Sequence, residues 1–468
     1  MMSQLEQVLA SHGVHTRPLR LAVTLLCHGW QRFDDLVRAT AAPRRSIEEL
    51  LAALGEDLER DTHALRIRPG AVAGYEPFRT VGQPETALAE NRELLARVAR
   101  YVDGVPPPLA ALDHVQATAE TVLRRALWLD ERYDLARTRL LFLGDHDLTS
   151  LAVRALRPDA RLTVVDLDER VLDYIDSVSG RTITTLHADL RVGLPPAVVA
   201  SADLVFSDPP YTPEGMGLFA ANGVRALADP PLGRLVLAYG YSPRHPALGA
   251  QVQRELASLG LTFEAILPDF HRYHGAEAIG SAADLYVCQP TARAKKVKAR
   301  KGGIYTHGPQ SVEARGTRPA LVEKLLELAG EGAEIRAADW SASGAPASGV
   351  AVDLSADPGP WLLRVLLATN AHRLAVLVPN AHPDLGNAEA QASLSTLVAG
   401  KYRLRFLRST PDNKHAVVVA TAVGEPVDLL LKAHARLGNA LPDGPPDVHA
   451  HRLIDLPRHR IAAIVPYL

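Results

Sequence analysis

The chain has few cysteines and no long apolar segment. Only two cysteines, Cys27 and Cys288, occur among its 468 residues, far apart and each within an apolar run. This pattern excludes a disulfide framework and a cysteine-rich metal cluster, and it indicates two buried thiols in a reducing compartment. No run of about 18 apolar residues is present, so we predict no membrane span. Because the chain does not open on a basic segment followed by an apolar core, we expect it in the cytoplasm.

A net positive charge is also missing. Lys and Arg total 51 against 53 Asp and Glu, which gives a formal net charge of −2. Non-specific binding to nucleic acid usually depends on a basic excess. Residues 1–80 hold ten arginines, ten acidic residues and no lysine. This balance argues against nucleic acid as a partner and favours a structural or dimerisation role for the first module, in keeping with a homodimer.

The apolar periodicity divides the chain into several regions, as its length of 468 residues leads one to expect. At the start, short helices lead to a hairpin between Leu58 and Ile67, an order that resembles a winged helix. Near 293–301 six basic residues occur without an acid. The predicted regions are a winged-helix-like domain (1–85), a Rossmann-like domain (86–290, with a helical lead-in over 86–135), a basic linker or flap (291–316) and an extra C-terminal α/β domain of open role (317–468).

Four short apolar strands in the central region each run into a small or acidic residue. Arg139–Leu143 precedes Gly144, and the next three strands end at or just before Asp166, Asp189 and Asp208. Such strands, separated by helical segments, predict an α/β fold with a doubly wound, mostly parallel sheet. In sheets that bind nucleosides, a tight loop follows the first strand and an acid on the second accepts the ribose hydroxyls. We therefore predict a nucleoside site, although each acid taken singly is more often a solvated strand end or a helix cap.

The loop after the first strand, 144–150, is acidic instead of glycine-rich. The carboxylate of an ordinary methyl donor, or a pyrophosphate, favours bare backbone N–H groups at a helix start. Asp145 and Asp147 would repel both anions, and would favour a donor that lacks the carboxylate and ends in an ammonium group, or a polycationic acceptor. The alternative is that Asp147 only caps the following helix while Asp145 faces solvent.

A rigid turn, Asp208-Pro-Pro-Tyr211, follows the fourth strand. It resembles the amine-reading motif of amino-methyltransferases, in which the Asp side chain and the carbonyl of the first proline, here Pro209, accept hydrogen bonds from the target nitrogen. The prolines stiffen the turn, and the face of Tyr211 can hold a base or a cation. The transferred group is therefore expected to go to an amine nitrogen.

Together these features resemble the branched-chain polyamine synthases, over about residues 5–310. The motifs that carry the resemblance are the winged-helix-like start, the Gly-Asp-x-Asp loop, Asp166-Leu-Asp-Glu169, Asp208-Pro-Pro-Tyr-Thr212, Arg272-Tyr-His-Gly275 and Ile304-Tyr-Thr306. The resemblance implies a domain like that of S-adenosylmethionine-dependent methyltransferases. It also implies an aminopropyltransferase that uses decarboxylated S-adenosylmethionine, adds aminopropyl groups to spermidine or a related polyamine, and releases methylthioadenosine. His146 replaces the middle acid of the family loop, Gly-Asp-Asp-Asp.

The resemblance also implies roles for individual residues, and we expect no metal. Polyamine nitrogens arrive protonated, so a carboxylate must take a proton before the nitrogen attacks. His146 either acts as a base itself or removes one negative charge, and Tyr305 lies where it could close over the site. The expected catalytic residues are Asp145, Asp147, Asp208 and His146; those for the donor are Gly144, Asp166, Asp168, Asp189 and Asp208; those for the acceptor are Asp145, Asp147, Asp208, Pro209, Tyr211 and Tyr273.

Three other interpretations remain open at this point. One is an S-adenosylmethionine-dependent amino-methyltransferase that acts on nucleic acid or another amine. A second is a regulator whose central domain senses a polyamine or nucleoside while the winged helix binds an operator. A third is an inactive relative, in view of His146.

Overall fold

The computed structural model describes residues 3–40, 42, 44–80, 91–242, 245–276, 281–294, 303–306 and 319–467. Most of the basic run, residues 295–301, lies outside these ranges. Among the helices described, none is long and apolar enough to cross a membrane.

The N-terminal region is a small helical unit closed by a hairpin. Ser3 and Glu6 form a reciprocal cap at its first helix, with the Glu6 N–H 3.1 Å from Ser3 Oγ and the Ser3 N–H 2.6 Å from Glu6 Oε2. Leu5 and Leu9 lie one turn apart and are both buried in a separate apolar cluster. The elements are α1 (Gln4–Ser11), α2 (Arg17–His28), α3 (Phe33–Thr40), α4 (Arg44–Ala53) and the antiparallel strands β1 (Leu58–Arg60) and β2 (Leu65–Ile67).

The central region contains the predicted alternation of strands and helices. Its elements are α5 (Arg92–Gly104), α6 (Ala119–Arg132), β3 (Arg139–Leu143), α7 (Thr149–Leu156), β4 (Arg161–Asp166), α8 (Glu169–Ser179), β5 (Thr184–His187), β6 (Leu204–Ser207), α9 (Pro213–Ala226), β7 (Arg234–Tyr239), α10 (Pro246–Ser258), β8 (Leu261–Arg272) and β9 (Ala282–Pro290).

These strands form one seven-stranded sheet in the order β5-β4-β3-β6-β7-β9-β8. The first five of them run parallel, and β9 pairs antiparallel with both of its neighbours. The predicted α/β class is confirmed, with a mixed sheet. The chain leaves β3 toward β4 on one side and reaches β6 on the other, so the strand order reverses beside β3. A crevice opens at such a reversal, at the carboxyl ends of the strands.

The C-terminal region is a second α/β layer, as the pattern predicted. Its sheet has the order β10-β11-β12-β14-β13, with β10 to β12 parallel and β14 antiparallel to both neighbours. The elements are α11 (Pro319–Ala329), β10 (Glu334–Arg336), β11 (Ala347–Asp353), α12 (Trp361–Ala368), β12 (Ala371–Pro379), α13 (Ala388–Val398), β13 (Tyr402–Leu407), β14 (His415–Ala422), α14 (Asp428–Leu431), α15 (Leu437–Ala440) and α16 (Arg458–Ile464).

The two larger sheets share one apolar core. Leu186 and Leu190 beside the central sheet belong to the same buried cluster as Leu362 and Leu366 of α12. Every residue of α12 from Leu362 onward is buried, and all of these except Arg364 are apolar, as expected for a helix enclosed by the core. Each leucine buried in this way contributes about 1.5–3 kcal/mol. The C-terminal layer is therefore packed directly against the edge of the sheet that carries the predicted nucleoside acids.

Candidate active site

The predicted site residues converge on one cavity at the carboxyl ends of β3, β4, β5 and β6. Its volume is about 360 Å³. Asp168 is not among the residues that line it, whereas Tyr305 is. The predicted residues that do line it are Gly144, Asp145, His146, Asp147, Asp166, Asp189, Asp208, Pro209, Tyr211 and Tyr273. Parallel strands bring these positions together because their carboxyl ends meet at one edge of the sheet.

The two loop acids have roles opposite to those of the helix-cap interpretation. The Asp145 carboxylate accepts the backbone N–H of Ser150 at 3.2 Å, so it is the residue that caps the start of α7. Asp147 instead accepts the N–H of Ala117 at 2.7 Å. Leu148, which directly follows Asp147, has φ of +62° and turns the chain into α7. Both acids are buried, so the alternative in which Asp147 only caps the helix and Asp145 faces solvent is wrong.

Burial shapes the ionisation of these acids. Loss of solvent raises the pKa of Asp145 well above its usual value, although the bond from Ser150 opposes the rise. Asp166, at the end of β4, accepts the backbone N–H groups of Asp145 and Asp168, each at 2.8 Å. Burial raises its pKa to about 6. Asp166 therefore joins the ends of β3 and β4 and holds the loop in place.

Gly144 supplies the backbone conformation from which this loop starts. Its φ is +72°, and an added Cβ would lie 3.6 Å from the Phe219 ring, an ordinary contact. Substitution by alanine is therefore expected to cost about 1–2 kcal/mol through backbone strain. We expect Gly144→Ala to weaken binding at the predicted nucleoside site, measured by calorimetric titration with methylthioadenosine as the probe. Gly180→Ala is the matched control, because Gly180 has φ of +60° with open space around it and does not line the cavity. Equal nucleoside affinity in the two variants would contradict this role.

Asp168 is occupied elsewhere. Its carboxylate pairs with Arg170 Nη2 at 2.6 Å and caps α8 through the Arg170 N–H at 3.0 Å. Its predicted role in binding donor or acceptor thus gains no support from its position. Asp189, by contrast, lines the cavity and accepts hydrogen bonds from Arg191 and from the indole of Trp361 in α12.

A buried arginine joins two acids of the cavity, Asp147 and Asp208. Arg125 of α6 has a side chain that is 0% exposed, and it reaches Asp147 Oδ2 at 2.8 Å and Asp208 Oδ2 at 2.6 Å. Tyr273 and His271 accept further hydrogen bonds from it, each at 3.1 Å. The sequence interpretation missed this residue. One signal was available, because Arg125 shares a helix face with the apolar residues Val122 and Leu129, three and four positions away.

Asp208 is the acid at the centre of this group. Its Oδ1 accepts the hydroxyl of Tyr211 at 3.0 Å, and its Oδ2 accepts that of Tyr273 at 2.7 Å. Burial raises the pKa of Asp208 to about 6, with Arg125 lowering it and Asp147 raising it. Next along the turn, Thr212 Oγ1 donates to the carbonyl of Ile304 at 2.6 Å. This bond draws Tyr305 toward the cavity wall.

His146 stacks on His114, another residue missed by the sequence interpretation. The ring centroids are 4.4 Å apart with 19° between the planes. Burial lowers the pKa of His146 to about 4, which makes it a weak base and favours the alternative that it removes a charge. With Asp168 the two histidines place ligand atoms within 4.8 Å of one another. A metal bound to both rings has to lie in both ring planes, and nearly parallel stacked rings have no such common point close by. The expectation of no metal stays a prediction.

The comparisons with known proteins agree with the sequence motifs. Residues 93–299 match the family model described as branched-chain polyamine synthase A C-terminal domain. An uncharacterized protein of Methanocaldococcus jannaschii is 34% identical over 192 residues, which are 40% of this chain and 48% of that protein. The N(4)-bis(aminopropyl)spermidine synthase of Thermococcus kodakarensis is 29% identical over 188 residues, which are 39% of this chain and 53% of the synthase. The chain thus spans about half the length of the curated relatives that it matches.

A solved structure of a branched-chain polyamine synthase is also similar to this chain. It is the branched-chain polyamine synthase from Thermus thermophilus, in complex with N4-aminopropylspermidine and 5′-methylthioadenosine. The identity is 21% and the TM-score 0.41, over 64% of this chain and 96% of that one. The resemblance drawn from the sequence motifs is confirmed over residues 93–299, which match the model of the branched-chain polyamine synthase A C-terminal domain.

Proposed function

We propose that the protein transfers an aminopropyl group from decarboxylated S-adenosylmethionine to an amine nitrogen of spermidine or a related polyamine, releasing methylthioadenosine. The names of the relatives support this reaction, but one observation carries it. Asp208 presents a partly buried carboxyl group at the cavity, and its pKa is raised to about 6. A general base works best when its pKa lies near the operating pH.

The reaction needs a proton acceptor and a fixed geometry. The free amine nitrogen attacks the aminopropyl carbon bonded to the donor sulfonium, so a C–N bond forms and the C–S bond breaks. Sulfur keeps the bonding electrons and leaves as a neutral thioether, while the amine proton passes to the carboxylate. We assign the proton to Asp208 because it begins the turn that resembles the amine-reading motif, lines the cavity and has a pKa raised to about 6. Correct positioning of the two reactants supplies much of the rate.

The remaining cavity residues are assigned to binding. Gly144 and Asp166 face the ribose of the donor and Asp189 its adenine. Pro209, Tyr211 and Tyr273 flank the attacking nitrogen next to Asp208. His146 keeps the centre of the loop uncharged, because its lowered pKa leaves it neutral at neutral pH. The further ammonium groups of the acceptor face Asp145 and Asp147.

Donor preference tests the proposal. Calorimetric titration with methylthioadenosine, decarboxylated S-adenosylmethionine and S-adenosylmethionine should give tighter binding of the first two, since the carboxylate of the third meets the acidic loop. Equal or tighter binding of S-adenosylmethionine would instead select amino-methyl transfer. One observation favours that second candidate: the Arg125 guanidinium offsets part of the negative charge of Asp147 and Asp208.

The rate should fall in acid with the ionisation of Asp208. The carboxylate form is the base, and its raised pKa means that this form is lost as the pH drops through about 6. At saturating donor, kcat is expected to fall about tenfold for each pH unit below that point. Saturation removes the contribution of Asp166, whose pKa is also about 6, because that residue acts in donor binding. A kcat that stays flat down to pH 4 would rule out Asp208 as the base.

Several further expectations belong to this proposal. The N-terminal helices and hairpin form a winged-helix-like domain over residues 1–85, and the Rossmann-like domain spans 86–290. The predicted basic linker or flap, 291–316, lies mostly outside the described residues, and 317–468 is assigned to a C-terminal α/β domain of open role. We also propose a homodimer, a cytoplasmic location and no nucleic-acid partner. Analytical ultracentrifugation with and without spermidine tests the proposed homodimer.

A further inference from the structure

A side chain of the C-terminal layer contacts the acid proposed to bind the adenine. The indole Nε1 of Trp361, the first residue of α12, donates to Asp189 Oδ2 at 3.1 Å. Trp361 lies outside residues 93–299, the part of the chain that matches the synthase family. Its ring also lies 5.0 Å from the guanidinium of Arg191, the other partner of Asp189.

The acceptor positions of Asp189 are all engaged. Oδ1 accepts the backbone N–H and the Nε–H of Arg191, both at 2.9 Å. Oδ2 accepts Arg191 Nη2 at 2.5 Å and the indole of Trp361. A carboxylate offers about four lone-pair positions. An amino group on a nucleobase can therefore bond to Asp189 only if one donor withdraws, and Trp361 has the longest of the four contacts.

Helix α12 is held in place by a second residue. Arg364 is 0% exposed, donates from Nε to His187 Nδ1 at 2.9 Å and from Nη2 to the carbonyl of Leu456 at 2.9 Å, and pairs with Glu169. These contacts attach α12 to the ends of β4 and β5 without the help of Trp361. The indole can leave Asp189 while the helix remains docked.

We propose that Trp361 is a specificity-determining residue that competes with the 6-amino group of an adenine nucleoside for Asp189. The inference rests on the proposed nucleoside site. Binding of the nucleoside and the contact from Trp361 oppose each other. The C-terminal layer therefore lowers the binding free energy that the site gains from the 6-amino group. A nucleoside with an oxygen in place of that amino group does not compete, because it offers no donor there.

The variant Trp361→Phe separates this role from simple packing. It keeps an aromatic ring near Arg191 and removes only the N–H donor. Calorimetry is done with methylthioadenosine and with 5′-methylthioinosine, which carries the 6-oxo group. We expect Trp361→Phe to bind methylthioadenosine roughly 2- to 10-fold more tightly, the value of one net hydrogen bond, with unchanged affinity for the inosine compound. Trp340→Phe is the matched control, since its buried ring lies 5.7 Å from that of Trp361.

The wild-type protein gives a second measurement that does not depend on the variant. With ¹⁵N-labelled tryptophan, methylthioadenosine should shift one indole N–H resonance, and the inosine compound should leave it in place. An unchanged or reduced preference for methylthioadenosine in Trp361→Phe, alongside intact aminopropyl transfer, overturns this proposal alone. Binding of neither nucleoside to the wild-type protein overturns it together with the proposed function. Nucleoside binding with the expected shift but no transfer overturns only the function.

Discussion

Replacing Asp208 with asparagine is expected to lower kcat for aminopropyl transfer by about 10²- to 10⁴-fold, the usual contribution of a general base. The amide retains the size of the side chain but cannot take a proton from the attacking amine. Binding of methylthioadenosine should change little, because the ribose and adenine are assigned to other residues. Stopped assays of methylthioadenosine release at saturating donor and spermidine measure the effect.

Asp159→Asn is the matched control for this variant. Asp159 is exposed between α7 and β4, so the same chemical change there should leave the rate unaltered. A kcat for Asp208→Asn within about threefold of the wild-type value would assign the proton to another group. Asp145 or Asp147 would then be the next to test.

Replacing Arg125 with methionine is expected to destabilise the fold by about 3–5 kcal/mol, the cost of breaking a buried ion pair and leaving its partners uncompensated. The carboxylates of Asp147 and Asp208, 8% and 18% exposed, would face each other without the guanidinium between them. The pKa of Asp208 should rise further, because Arg125 lowers it in the native protein. Urea denaturation measures the loss, and the acid limb of kcat should move to higher pH.

Two comparisons distinguish this charge effect from loss of packing. Arg132→Met alters an exposed arginine of the same helix and should leave stability within about 0.5 kcal/mol of the native value. The double variant Arg125→Met with Asp147→Asn should recover part of the stability, because one uncompensated charge is gone. Additive losses in the double variant would show that packing, and not charge, accounts for the effect.

The sequence predicted the residues that follow strands much better than those that come from elsewhere. Gly144, Asp166, Asp189 and Asp208 line one cavity, because alternating strands and helices force the carboxyl ends of parallel strands together. The roles of the loop acids, Asp145 and Asp147, were harder to predict. Their roles depend on the left-handed backbone of Leu148, a conformation that is uncommon for a leucine and that its residue type does not signal.

Two residues that reach the site across long sequence distances, Arg125 and Trp361, were not predicted. Arg125 lies on a helix that the pattern marked only as a lead-in, and Trp361 contacts Asp189 across 172 positions. Hydrophobic periodicity gives the buried face of a helix but not the element against which that face packs. The placement of α12 beside β5 therefore had to come from the structure.

Product identification tests the central claim most directly. The protein is incubated with decarboxylated S-adenosylmethionine and spermidine, and both products are followed by mass spectrometry. The account predicts one methylthioadenosine for each aminopropyl group added to spermidine, with no methylated product when S-adenosylmethionine is supplied instead. Methylated amine and S-adenosylhomocysteine from S-adenosylmethionine, with no aminopropylated product from the decarboxylated donor, would contradict it.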